Sequence, residues 1–134
     1  MSANFSFEVD PSRDLVIITL GGFFSQADIG AFLAEREVAH AQLRCGPNQH
    51  VTLADTRAMQ IQAQDIVTAW GDVLAGSAYR SRKLAFVQAS SLARMQLQRA
   101  AAMRDVRYFT SFADAEAWLF EDSYETPLKR YAHG

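Results

Sequence analysis

The chain opens on alternation. From Asn4 to Val9 (NFSFEV), Phe5, Phe7 and Val9 fall on one side and Ser6 and Glu8 on the other, which is the period of a half-buried strand. Asp10 to Asp14 (DPSRD) is dense in turn formers: Pro11 presets its own φ, and Asp10 and Ser12 can bond local backbone. Leu15 to Leu20 (LVIITL) is an apolar, β-branched run, so the two segments predict an antiparallel hairpin. After Gly21-Gly22 the period becomes helical. Ser25 reads as an N-cap, with Asp28 three residues on as an acidic capping box. Ile29, Phe32, Leu33 and the alanines supply an apolar face, while Glu35, Arg36 and Glu37 read as solvated. The helix is expected to run to about Arg44, closed by Cys45-Gly46-Pro47-Asn48.

His50 to Trp70 reads as the organising stretch: a buried strand from His50 to Ala54, a polar corner from Asp55 to Gln60, then a helix. That helix carries Ile66, Val67, Trp70, Val73 and Leu74, the clearest amphipathic set in the chain, with Gly71 as a weak interior position and Gly76 at its end. Lys83 to Val87 (KLAFV) is a short buried strand, and Gln88-Ala89-Ser90-Ser91 is a second polar corner. Ser90 or Ser91 caps a third helix that runs to about Met103. Val106 to Phe109 is the last strand. Ser111 and Asp114 open a final helix that turns Phe112, Ala115, Trp118 and Leu119 inward. From Asp122 periodicity is lost, and Pro127 argues against one continuous helix. The order β-β-α-β-α-β-α-β-α predicts an α/β fold. Its mixed, mostly parallel five-stranded sheet has an N-terminal hairpin, about four helices and right-handed crossovers. Residues 1–121 form one domain and 122–134 a C-terminal tail. Tyr124, Leu128 and Tyr131 of that tail offer a surface for docking on the domain or on a second copy, so a homodimer is an open expectation.

Composition changes this picture little. At 134 residues, with 49% hydrophobic and 21% charged residues, the chain can bury a core without staples. A net charge of −2 gives no global pull toward nucleic acid. The single cysteine, Cys45, cannot form an internal disulfide, which fits a reducing compartment. The first residues lack a basic start and an apolar run, and no stretch is long enough for a membrane span; a cytoplasmic location is expected.

Candidate chemistry gathers at the two polar corners. Asp55, Thr56 and Arg57 could grip an anion at the strand end, with Arg57 and the Thr56 hydroxyl as ligands and Asp55 orienting. The structural alternative is local turn bonding with Arg57 in solvent. Gln88, Ser90, Ser91 and Arg94 could hold phosphate, sulfate or a carboxylate at a helix N-terminus, where plain N-capping is the alternative. Neighbouring parallel strands would merge the two corners into one cleft. Tyr79 to Thr110 carries seven basic residues and one acidic, but Arg94, Arg99 and Arg104 turn about 140° from one another on a helix and make no single stripe. His40, His50 and His133 are scattered. No spacing fits a metal site, and no nucleophile elbow or phosphate loop is present, so neither metal nor cofactor is expected.

The stretches DLVIITLGGFFSQADI, VTLADTRAM, KLAFV with its following helix, and RYFTSFADAEAWL together resemble the STAS domain superfamily, in particular small SpoIIAA-like (STAS/SEC14-type) bacterial proteins. The resemblance covers about Phe5 to Phe120. It implies a domain that binds rather than catalyses. Its best-understood members are phosphorylated on a serine that opens the second helix; here the matching Gln60 to Asp65 reads QIQAQD and offers no hydroxyl. The expectation is a non-enzymatic regulatory or ligand-binding module that recognises a small anion or a protein partner at the corners. Two alternatives stand beside it. One is a cofactor-free enzyme using Asp55 with Arg57 or Arg94. The other is a carrier of an apolar, lipid-like ligand, for which an enclosed apolar cavity under Trp70 is the distinguishing feature.

Overall fold

The computed structural model describes residues 2–76, 79–101 and 106–121. Five strands and four helices follow in the expected order. They are β1 (Asn4–Asp10), β2 (Leu15–Gly22), α1 (Gln26–His40), β3 (Val51–Met59), α2 (Gln64–Ala75), β4 (Lys83–Val87), α3 (Ser91–Ala100), β5 (Arg107–Phe109) and α4 (Phe112–Leu119). The expected end of the third helix at Met103 and the tail from Asp122 lie outside the described residues.

The strands lie in the sheet in chain order, β1-β2-β3-β4-β5. β1 pairs antiparallel with β2, and β2 to β5 run parallel to one another. Each crossover therefore moves the chain one strand along in the same direction, and crossovers of one hand then leave their helices on one face. Two cores result. On one face Val16, Ile18, Leu20, Ala54, Leu84 and Phe86 pack with Ile29 and Phe32 of α1, Ile66 of α2 and Trp70 beside them. On the other, Leu15, Val51, Leu53, Ala85 and Val87 pack under Ala115 and Leu119 of α4. The strands are apolar on both sides because each side meets a helix.

The caps follow the sequence. Ser25 and Asp28 form a reciprocal capping box, Ser90 accepts from the Ala93 amide, and Ser111 accepts from the Asp114 amide. Two boundaries and one burial differ. α1 ends at His40 rather than near Arg44. Arg36 is half-buried rather than solvated. Most consequentially, the segment read as a corner at Asp55 is still strand: β3 runs on through Met59 and stays paired with β2 to Gly22. The register slips between Thr19 and Gly21, where β3 carries an extra residue, so Met59 rather than Ala58 turns to the side of Thr56.

Gly22 sits at φ +78, a conformation natural to glycine, and a Cβ there would collide with the Ser2 backbone. Gly71 lies where α2 meets α3: a Cβ on it would stand in ordinary contact, 3.4 Å from the Ala100 carbonyl oxygen. α2 rests chiefly on α3 and α1, with Ile66 reaching into the core on the sheet face, and together these helices roof the sheet.

Candidate functional site

Between that roof and the sheet lies a cavity of about 130 Å³. Its floor is the α1–α3 face of β2, β3 and β4: Ile18, Leu20, Thr52, Ala54, Thr56, Leu84 and Phe86. Its roof comes from Phe32 of α1, from Val67, Trp70, Val73 and Leu74 of α2, and from Ala93, Leu97 and Ala100 of α3. Trp70 is wedged edge-on between Phe24 and Phe32, with ring centroids 5.3 Å and 4.9 Å away. These contacts fix the indole as a wall of the cavity. Its N–H is buried and has no hydrogen-bond partner among the described residues.

The two ends differ in chemistry. At the carboxyl end of the strands stand Gln60, Gln62 and Gln96. Gln62 is buried and fully engaged. Its Oε1 accepts from the Phe24 amide at 2.9 Å, and its Nε2 donates to the Gly22 carbonyl at 2.9 Å and the Gln60 carbonyl at 2.6 Å. Gln96 of α3 completes the closure: its Oε1 accepts from the Gln62 amide and its Nε2 donates to the Gln62 carbonyl, both at 2.8 Å.

At the amino end stand Arg36, His40, Tyr79, Arg80 and Ser81. The Arg36 guanidinium lies over the Tyr79 ring, 4.6 Å from its centroid. Its Nε is buried without a hydrogen-bond partner, and no described residue forms an ion pair with it. Burial depresses the Arg36 pKa, because a charge taken from water without a carboxylate beside it is disfavoured. His40 Nδ1 lies 2.8 Å from the Arg36 carbonyl, which can only accept, so Nδ1 carries the proton. Burial also lowers the His40 pKa, and Arg36 adds repulsion in the same direction.

Of the anion-site candidates Asp55, Thr56, Arg57, Gln88, Ser90, Ser91 and Arg94, Thr56 alone lines this cavity. Its hydroxyl donates to the Val87 carbonyl at 2.8 Å, tying β3 to β4. Asp55 and Arg57 form an ion pair with each other at 2.7 Å, reinforced by a 2.9 Å hydrogen bond from Arg57 Nε. That pairing, more than any other influence, lowers the Asp55 pKa. A strand sends successive side chains to opposite faces, so Thr56 diverges from its two neighbours. At the second corner Ser90 is occupied as a cap, and Arg94 lies over the Tyr108 ring at 5.4 Å. Gln88 is buried, donates its amide to the Phe109 carbonyl, and has a side-chain oxygen without a partner among the described residues. Ser91 is exposed at the start of α3. β3 and β4 are neighbours, as a joint cleft requires, but of the corner candidates Thr56 is the one that lines the cavity described above.

Other basic residues are spread over the surface. Lys83 donates to the Trp118 carbonyl at 2.7 Å and Arg107 lies over the Trp118 ring, both around α4. Burial, with Asp14 nearby, raises the Cys45 thiol pKa. Among the described residues no group of three or more metal-ligating side chains occurs, and no helix is long and apolar enough to cross a membrane.

This architecture defines a SpoIIAA-like fold. Among solved structures, the chain is similar to an uncharacterised protein of the DUF3478 family with a SpoIIAA-like fold from Shewanella loihica PV-4. The TM-score is 0.66 and the identity 18%, over 89% of this chain and 96% of that one. Neither a protein-family model nor a curated protein matches the chain.

Proposed function

We propose that this protein is a non-enzymatic binding module whose ligand enters the cavity between the sheet and α1–α3. The observation that carries the reading is the cavity under Trp70, mainly apolar along its length, with its ionisable side chains among the described residues gathered at one end. A dry apolar cavity of about 150 Å³ accepts benzene. The occupant therefore has an apolar body about the size of one aromatic ring or a short alkyl chain. Asp55, the general acid or base an enzyme would use, is held by Arg57 and does not line the cavity, which favours binding over catalysis. The anion-binding corners recede for the same reason: Asp55, Thr56, Arg57, Ser90 and Arg94 are engaged with one another, with the backbone or with a neighbouring ring.

The test uses toluene as a neutral probe and methyl NMR as the readout. Toluene should shift the methyls of Ile18, Leu84 and Leu97, which line the cavity, and leave those of Leu53 and Leu119 on the opposite face in place. Shifts on both faces alike, or none at the cavity methyls, would overturn the reading.

A further inference from the structure

Resting on that reading of the cavity, we infer that its ligand is a monocarboxylate, bound with its acid group at the Arg36 end and its apolar body under Trp70. Four ionisable side chains line the cavity, Arg36, His40, Tyr79 and Arg80, and all stand at the amino end of the strands. No aspartate or glutamate lines it among the described residues. The neighbouring Glu35 and Glu37 are exposed, and neither forms an ion pair with Arg36. A half-buried guanidinium is thus left without an anion among the described residues, beside an apolar space. Burial of a charge is costly until a counter-charge and hydrogen bonds compensate it. The Tyr79 ring covers one face of the guanidinium but supplies no acceptor to its in-plane N–H groups. A carboxylate offers two acceptor oxygens in the geometry that a guanidinium fork matches.

The opposite end could not serve the same head group. There the Gln62 side chain is committed to the Phe24 amide and to the Gly22 and Gln60 carbonyls, and the Gln96 side chain to the Gln62 backbone. The cavity therefore has one electrically uncompensated end and one saturated end, and that asymmetry orients the ligand. The small volume argues for a single head and a short body, such as an arylacetate or a six-carbon acid.

The experiment compares phenylacetate, its neutral isostere phenylacetamide, hexanoate and toluene on the whole chain, by calorimetry and the same methyl shifts. Phenylacetate or hexanoate should bind about 10- to 100-fold tighter than phenylacetamide, the range of a charge-assisted pair. Arg36→Gln should abolish that preference while toluene still shifts the cavity methyls. Arg57→Gln, outside the cavity, should keep it. The better of the two acids then identifies the body as ring or chain. Equal binding of the acid and the amide, or a preference that survives Arg36→Gln, would overturn the carboxylate inference while leaving the cavity reading intact. Failure of toluene and of both acids to reach the cavity would remove the two together.

Discussion

Replacing Gln62 with leucine puts the closure of the cavity's carboxyl end to a quantitative test. The two side chains have similar volume, so packing changes little. The hydrogen bonds change a great deal. The Phe24 amide, in a buried position, loses the Oε1 that accepts from it at 2.9 Å. The Gly22 carbonyl keeps a second donor, the Gln60 amide at 3.2 Å, and exposed Gln60 can turn its own carbonyl to water. One orphaned buried N–H costs about 1–3 kcal/mol, and each lost hydrogen bond about 1 kcal/mol net. Greater apolar burial by leucine returns about 1 kcal/mol. The expected loss is about 2–4 kcal/mol, which lowers Tm by about 8–16 °C in a domain of this size. Urea unfolding followed by circular dichroism should show the midpoint falling by about 1 M with an unchanged slope. Gln96→Ala should cost less, because the groups it releases are only part-buried. A midpoint shift below about 0.3 M for Gln62→Leu would refute the reasoning, since the Phe24 amide would then have found another acceptor.

Two further outcomes follow from the same geometry. Ala93→Leu adds a branched side chain on α3 where Ala93 lines the cavity, at little cost in helix propensity. Toluene binding should be lost with Tm unchanged or raised, whereas undiminished binding would place the occupant elsewhere. His40 has its pKa lowered by burial, so the unfolded chain takes up its proton first as pH falls. Its contribution to stability is therefore present above the ordinary value of about 6.5 and lost as pH drops below it toward the folded value. Unfolding midpoints from pH 7.5 down to 5.5 should fall more steeply for the native chain than for His40→Gln, and parallel slopes would contradict the assignment.

The sheet was legible wherever side-chain period and turn chemistry agreed. The hairpin, the capping serines and the inward face of α4 follow from short-range rules, and the helices obeyed them. β3 was misread because Asp55-Thr56-Arg57 has the composition of a turn, yet its partner strand β2 continues and the ladder overrides local preference. Arg36 was read as solvated on the strength of its charge and its glutamate neighbours. Its position carried the opposite signal, since Ile29, Phe32, Arg36 and His40 recur at intervals of three and four residues along one helix face. The cavity itself leaves no trace in any single segment. It is bounded by side chains of β2, β3, β4, α1, α2 and α3 together, a relation among residues as far apart as Ile18 and Ala100.

A sheet whose spatial order repeats its chain order can be built in the sequence in which it is synthesised. Each strand from β2 onward docks on the one before it, and no gap waits for a later segment, so the contacts needed at each step are near in the chain. The covering of the second face is the exception. Leu15, Val51, Leu53, Ala85 and Val87 gain their lid only with Ala115 and Leu119 of α4. A nascent or truncated chain that stops before Phe112 carries a complete roof on one side and a bare apolar sheet on the other. Such a surface is a hazard for aggregation. The last helix, peripheral to the cavity, is the step that makes the molecule safe to release.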